Sequence, residues 1–260
     1  MSGRDALVDD GAVAAQVLRD VLARFGEDDR GPLVLGAGET HVAAVAIEDP
    51  AWLAEQVRLR GERWRTDDAR VLATLWWYSA SAWVIGPTLA SLAVGAPVLS
   101  ADLGDLSVRW LGDSRITGAT SSRVIGRSAD ADPPTHDRVE AAAASLRRLY
   151  DRVIPAVAAH AAIAPRPLWA IATDAIANRL LVIGRAIGEE EATTALLDPL
   201  VDAVGHPMPR GRYVRDADAD ADTDTDGLRV RRCSCCLLYL APGQSTCGTC
   251  PRLRAPASSG

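Results

Sequence analysis

All five cysteines of this 260-residue chain lie in one short stretch, RCSCCLLYLAPGQSTCGTC, which runs from Arg232 to Cys250. Free cysteine is otherwise a good small core residue, so a chain that keeps it out of every other segment uses it for chemistry. Thiolates bind zinc ions and iron–sulfur clusters. The clustering therefore predicts a metal site. Its candidate ligands are Cys233, Cys235, Cys236, Cys247 and Cys250.

Four of these thiols form two pairs. Cys247 and Cys250 are a C-x-x-C pair, whose sulfurs converge in a tight turn, and we expect Gly248 to supply the positive φ that such a turn often needs. Cys235 and Cys236 are adjacent, and adjacent side chains of an extended strand point to opposite faces. Both can reach one metal group only if the backbone curls there or if the group is wide. A two-iron cluster is wider than a zinc ion, so the spacing favours iron–sulfur.

The pattern Cys-Cys-x10-Cys-x2-Cys resembles the C-terminal signature of FhuF-type ferric-siderophore reductases. The surrounding sequence is similar as well, at Arg231-Arg232, Tyr239, Pro242-Gly243 and Pro251. The resemblance implies that four cysteines ligate a [2Fe–2S] cluster, and that Cys233 is a fifth thiol outside the ligand set. The implied ligands are Cys235, Cys236, Cys247 and Cys250.

The resemblance also implies an activity, the one-electron reduction of a ferric siderophore. Iron would then leave as Fe(II), which hard oxygen donors bind far less tightly. The stretch 33–38, LVLGAG, looks briefly like the start of a dinucleotide-binding fingerprint, but His41 stands where the third glycine belongs. We therefore expect no NAD or flavin site in the chain, and an external donor, a ferredoxin-like protein or a flavin reductase, would supply the electrons.

Two other interpretations stay open. Cys233 or Cys235 could join the C-x-x-C pair around a structural zinc ion, in a module that mediates protein interaction without redox activity. The chain could also be a siderophore-binding or assembly protein whose cluster is only structural. Metal and sulfide content separates the first of these from a reductase, and reoxidation by a ferric siderophore separates the second.

Other polar residues give weaker signals. Asp174, Asn178 and Arg179 lie near one face of a predicted helix and could line a pocket, although ordinary helix polarity is the favoured interpretation. Four arginines flank the thiols, and they either stabilise the more negative reduced cluster or are only solvated residues of an arginine-rich chain. These are Arg231, Arg232, Arg252 and Arg254.

Composition limits the classes of function. The formal net charge is −6 and no long basic run occurs, which argues against nucleic acid as a partner. The N-terminal residues carry acids and no apolar run typical of a signal peptide, so we expect a cytoplasmic protein, in which thiolates bind metals rather than form disulfides. The uncharged stretch 76–98 contains Gly86-Pro87 and several serines, so we expect buried helices rather than a membrane span. Association with a membrane surface stays open.

The sequence predicts a mainly helical α+β fold with a small antiparallel β portion and a C-terminal cysteine-rich metal-binding segment. We divide the chain into a helical domain at 1–205, an acidic linker or loop at 206–230 and a cluster-binding segment at 231–260. Within the linker, residues 216–226 carry acid at alternate positions, which is typical of solvated chain. This run lacks the glycine and glutamate of a calcium-binding EF-hand loop.

Apolar spacing, caps and breakers predict the individual elements. Helices are expected at 5–25, 50–64, 135–162, 169–187 and 189–204, with a possible kink at Pro155. A long apolar helix is expected after the cap at Thr66-Asp67-Asp68, and Gly86-Pro87 should kink or break it. Residues 33–35 and 41–47, split by Gly36-Ala37-Gly38, are expected to form two short strands or a hairpin. A second hairpin is expected at 106–110 and 115–120, with a turn at Gly112-Asp113.

Overall fold

The computed structural model describes residues 10–34, 40–126, 135–215 and 227–252. Helices dominate these ranges, and most begin and end close to the predicted positions. They are α1 (Asp10–Leu22), α2 (Pro50–Trp64), α3 (Ala69–Val84), α4 (Gly86–Ala93), α5 (Thr135–His160), α6 (Pro165–Ile187), α7 (Glu190–Thr194) and α8 (Leu197–Val204).

The strands are short and pair antiparallel throughout the described ranges. They are β1 (His41–Ala43), β2 (Val98–Leu99), β3 (Leu106–Trp110), β4 (Ile116–Ser121), β5 (Val124–Ile125), β6 (Arg212–Arg215) and β7 (Leu228–Arg231). One sheet has the order β1-β3-β4, and β2 pairs with β5 and β6 with β7. The mainly helical α+β fold with a small antiparallel portion is therefore confirmed, as is the hairpin of β3 and β4.

Local signals fix several helix ends. The carboxylate of Asp68 accepts hydrogen bonds from the backbone N–H groups of Arg70 (2.9 Å) and Val71 (3.2 Å), so it is the N-cap of α3. The break at Gly86-Pro87 separates α3 from α4, as predicted, while α5 runs on through Pro155. Within the described ranges, no helix is long and apolar enough to cross a membrane.

The prediction of two short strands or a hairpin at 33–35 and 41–47 is confirmed only at His41–Ala43, which form β1. Leu33 ends a 3-10 turn, and β1 pairs with β3, where His41 faces Arg109. Beyond β1, a 3-10 helix at Ala44–Glu48 buries Ala44 and Ile47, which are three residues apart and so share one side of the tight helix. The glycines at 36 and 38 lie outside the described residues.

Helices α3, α5 and α6 enclose the aromatic centre of the core. Trp76 and Trp77 are fully buried, as expected, and Trp77 donates a hydrogen bond from its indole nitrogen to the carbonyl oxygen of Leu168 (3.0 Å). Tyr150 packs edge-on against Trp77 and Trp169, with ring centroids 6.2 Å and 5.7 Å apart. This packing holds α3 beside α6, and these two helices carry the candidate site.

Strands β6 and β7 lie on either side of the acidic run and pair along their whole length, from Arg212 with Arg231 to Arg215 with Leu228. The run itself, residues 216–226, lies outside the described residues. The pairing returns the chain to α6, so that the cysteine stretch begins against the helical core. The division at residues 205 and 231 remains a prediction.

Two tyrosines offer a matched test of the core. The hydroxyl of Tyr150 is buried without a hydrogen-bond partner among the described residues, whereas that of Tyr213 donates to the carbonyl oxygen of Ala177 (2.8 Å). We expect Tyr150→Phe to leave the free energy of unfolding unchanged or raise it, and Tyr213→Phe to lower it by about 1 kcal/mol, because only the second variant loses a bond. Urea denaturation measures both, and equal losses would contradict the assignment.

Candidate metal centre

The cysteine stretch packs on α3 and α6. A small apolar cluster joins Cys236 to Val71 and Leu75 of α3, and Leu237 and Leu238 cover it from the side. Cys236 is only 6% exposed. Burial of this apolar surface fixes the position of the first cysteine pair relative to the core.

The backbone curls at the adjacent cysteines. Strand β7 ends at Arg231, so Cys235 and Cys236 lie outside any strand. Leu237 adopts a left-handed conformation (φ 61°, ψ 9°) and leads into a 3-10 turn at Leu238–Leu240. The alternation of side chains in an extended strand therefore does not apply to this pair.

The second pair lies in a turn, in which the N–H of Cys250 donates to the carbonyl oxygen of Cys247 (2.9 Å). The expected role of Gly248 is wrong, because the left-handed glycine of this stretch is Gly243 (φ 74°), in the Pro242-Gly243 loop. The turn at Cys247–Cys250 closes without a positive φ, and the glycine that needs one lies earlier, where the chain reverses between the two pairs.

The four sulfurs of the predicted ligand set share one neighbourhood. The thiol of Cys235 lies beside those of Cys250 and Cys236. One guanidinium nitrogen of Arg232, Nη1, lies 3.2 Å from the sulfur of Cys247 and 3.9 Å from that of Cys236. Burial raises the pKa of the Cys235 thiol, and the neighbouring Cys250 and Cys236 raise it further, while the N–H of Leu237 opposes this.

The exposure of the sulfurs is uneven. Cys236 and Cys250 are buried, whereas Cys235 and Cys247 are partly exposed. Within the part of the chain that the structure describes, no three His, Cys, Asp or Glu side chains are arranged to hold a single metal ion. The described thiols are therefore not gathered around a single metal-ion position.

Arg232 brings a buried positive charge to these sulfurs. Its side chain is 6% exposed, its Nε lies 3.7 Å from Asp174 Oδ2, and its guanidinium stacks 4.4 Å above the ring of Tyr78. Burial lowers the pKa of Arg232, but Tyr78, Cys236 and Cys247 outweigh it, so the pKa is raised above its ordinary value. Two of its nitrogens, Nε and Nη2, have no hydrogen-bond partner among the described residues. Buried donors beside four thiols fit an anionic sulfur-rich group.

Asp174 anchors the start of the stretch. This α6 carboxylate is 3% exposed and accepts hydrogen bonds from the N–H groups of Cys233 and Ser234, both at 2.9 Å, and from the Ser234 hydroxyl at 2.5 Å. Sequence reasoning singled Asp174 out but favoured ordinary helix polarity. A stronger signal was available, because it is the one acid in the long apolar run of α6 from residue 168 to 187.

Of the two other residues named with Asp174, only Arg179 has different surroundings. The Arg179 guanidinium donates to the carbonyl oxygen of Ala82 (2.8 Å) and stacks on Trp83, away from the cysteines. Asn178 is exposed, one turn beyond Asp174, and the two residues line a small cavity of about 210 Å³ together with Arg232. The possibility that Asp174 and Asn178 line a pocket is therefore confirmed for these two residues. Of the flanking arginines, Arg231 is exposed, and position 254 lies outside the described residues.

Cys233 is turned toward α6. The residue is exposed, but its sulfur donates to Asp174 Oδ1 (3.2 Å) and to the carbonyl oxygen of Ala170 (3.5 Å). Desolvation at the helix surface, followed by the charge of Asp174, raises the pKa of Cys233 to about 12. Its hydrogen bonds thus engage the helix rather than the other four thiols.

Comparison with known proteins identifies the cysteine stretch. Residues 232–252 match the family model described as the FhuF 2Fe-2S C-terminal domain. No curated protein matches the chain. The resemblance drawn from the cysteine spacing is therefore confirmed, and the cofactor of this domain is a [2Fe–2S] cluster. Its assignment to Cys235, Cys236, Cys247 and Cys250 remains a prediction.

The anchoring role of Asp174 can be measured locally. We expect Asp174→Ala to speed hydrogen exchange at the amides of Cys233 and Ser234 by about ten- to a hundredfold, because both lose a bond to a charged acceptor. Asn178→Ala, on the same helix, is the control and should leave both rates unchanged. Nuclear magnetic resonance detects the two amides separately. Equal rates in the two variants would contradict the assignment.

The charge of Arg232 leads to a second expectation. Removing it with Arg232→Gln should lower the midpoint potential of the cluster by on the order of 60 mV, because the added electron loses a buried positive neighbour. Arg232→Lys keeps the charge and should shift the potential less, and Arg231→Gln, at an exposed neighbour, should leave it unchanged. A redox titration followed by electron paramagnetic resonance measures all three. A shift of the same size in the Arg231 variant would argue against a local effect.

Proposed function

We propose that this protein is a cytoplasmic ferric-siderophore reductase. The observation that carries the proposal is the match of residues 232–252 to the FhuF 2Fe-2S C-terminal domain. That match supports an iron–sulfur protein of a siderophore-related reductase family, and the specific reaction is our inference. When bound, the cluster supplies one electron to the Fe(III) of a siderophore, and the iron is then released as Fe(II). An external ferredoxin-like or flavin-dependent donor replaces that electron.

A cleft beside the cysteines supports a substrate role. It has a volume of about 690 Å³, within the range of small-molecule sites, and its walls include Cys233, Ser234 and Cys235. Of the four predicted ligands, only Cys235 lines it. A substrate in the cleft would thus approach from the Cys235 side.

The remaining residues have supporting roles in the proposed reaction. Cys236 and Cys250 are both buried, and apolar contacts with Val71 and Leu75 keep water away from Cys236. Arg232 offsets negative charge on the sulfurs, which favours the reduced state. Asp174 holds the backbone and the guanidinium in place through the bonds described above.

Single cysteine variants test the proposal. The protein purified without oxygen should contain about two irons and two acid-labile sulfides per chain, and Cys→Ser at 235, 236, 247 or 250 should lose or alter the cluster spectrum. Cys233→Ser is the matched control and should retain it, because that sulfur bonds to α6. Chemical analysis and electron paramagnetic resonance measure these outcomes.

Activity is a separate measurement. Protein reduced with dithionite should be reoxidised by a ferric siderophore in a stopped-flow experiment, much faster than without it. A colourless protein with one zinc ion and no sulfide would instead indicate the structural zinc module. A cluster that the ferric siderophore does not reoxidise would indicate a binding or assembly protein.

A further inference from the structure

The buried guanidinium of Arg232 is held by few hydrogen bonds. Among the described residues it donates only to sulfurs, from Nη1 to Cys247 (3.2 Å) and, at the longer distance of 3.9 Å, to Cys236. Its Nε lies 3.7 Å from Asp174 Oδ2, which is too far for a hydrogen bond. Arginine has many rotamers, and confining the side chain to one of them costs conformational entropy. A further contact is therefore needed to keep this charge at the sulfurs.

The ring of Tyr78 makes that contact. The guanidinium carbon of Arg232 lies 4.4 Å from the ring centroid, a distance at which an aromatic face attracts a cation. A guanidinium is planar, so one face can stack on a ring while the N–H groups at its edge donate elsewhere. Here the edge nitrogen Nη1 donates to the sulfur of Cys247. The ring and the sulfurs thus hold the same group from different directions.

Helix α3 makes Tyr78 a rigid support. Its neighbour Trp77 is fully buried and is hydrogen-bonded to the carbonyl oxygen of Leu168. Leu75, about one turn earlier, packs against Cys236. One helix therefore positions both the ring that supports the guanidinium and a predicted cluster ligand that the guanidinium contacts.

The exposure of Tyr78 argues against a role in core packing. The residue is 39% exposed and lines the cavity of about 210 Å³ that Asp174 and Arg232 also line. The two aromatic residues before it, Trp76 and Trp77, are by contrast completely buried. A surface ring with a buried cation on its face is explained by the cation rather than by the core.

We propose that Tyr78 is a positioning residue for the cluster, whose ring keeps the Arg232 guanidinium at the sulfurs and thereby raises the midpoint potential. The inference rests on the proposed function for its part in electron transfer. Reduction adds one electron to the cluster, and a nearby positive charge stabilises that electron in inverse proportion to their separation. An arginine released toward solvent would be farther away and screened, so the reduced state would be less favoured.

Variants with and without the ring test this role. We expect Tyr78→Leu to lower the midpoint potential of the cluster in the same direction as Arg232→Gln, by about half as much or more, because the charge is kept but no longer held. Tyr78→Phe keeps the ring and should keep the potential. A redox titration of the cluster-loaded protein, followed by electron paramagnetic resonance, measures all three. If Tyr78→Leu does not load its cluster, Tyr78→Met, which also lacks a ring, takes its place.

Two comparisons separate this role from a merely structural one. Trp83→Leu removes a ring whose centroid is 4.5 Å from the Arg179 guanidinium, an equivalent stack away from the cysteines, and should leave the potential unchanged. Tyr78→Leu combined with Arg232→Gln should shift the potential no further than Arg232→Gln alone, because the ring acts through the guanidinium.

An unchanged potential in the variants that lack the ring, or additive shifts in the double variant, would overturn the inference. An equal shift in Tyr78→Phe would overturn it too, because that result assigns the effect to the hydroxyl. The reductase proposal would survive each of these results, since it depends on cluster content and on reoxidation by a ferric siderophore. Conversely, a cluster that no ferric siderophore reoxidises would end the reductase proposal, while the lowered potential of Tyr78→Leu would still support the positioning role.

Discussion

The buried carboxylate of Asp174 is the interaction on which the site depends. It lies in the middle of α6 and bonds to the backbone of Cys233 and Ser234, which are almost sixty positions later in the chain. A charge removed from water is costly unless hydrogen bonds and an opposite charge compensate it. Here two amides, a hydroxyl and the guanidinium of Arg232 do so. Because the buried charge of Asp174 is unfavourable without these partners, the cysteine stretch must occupy this one position on α6.

Polar and apolar contacts hold different parts of the cysteine stretch. Asp174 fixes its beginning, and the burial of Cys236 against Val71 and Leu75 fixes its middle. The paired strands β6 and β7 return the chain to α6 before the first cysteine. None of these contacts would hold the stretch alone, because it contains only one short 3-10 turn of regular structure. Together they attach a domain of about twenty residues, too small to bury a core of its own, to the large helical core.

The distribution of arginine gives the site its electrostatic character. The chain has no lysine, so an arginine near the thiols says little until its surroundings are known. Arg232 is buried between a carboxylate and two sulfurs, whereas Arg231 is exposed. On the other side of the stretch, Arg70, Arg166 and Arg252 line the cleft. The buried charge of Arg232 therefore acts on the sulfurs, and the three arginines of the cleft would act on a molecule bound there.

The sequence by itself determined the features that depend on neighbours in the chain. The spacing of four cysteines indicated an iron–sulfur domain, Asp68 and Gly86-Pro87 fixed helix ends, and β3 and β4 followed from alternation and a turn. Only the tertiary structure decided that β1 pairs with β3, that Gly243 rather than Gly248 has the positive φ, and that Arg232 rather than Arg231 faces the thiols. It also showed that Asp174 anchors the cysteine stretch, whereas the sequence favoured an ordinary polar residue on a helix face. The reason is physical: caps, turns and ligand spacing are local, whereas pairing, burial and charge compensation join residues that only the folded chain brings together.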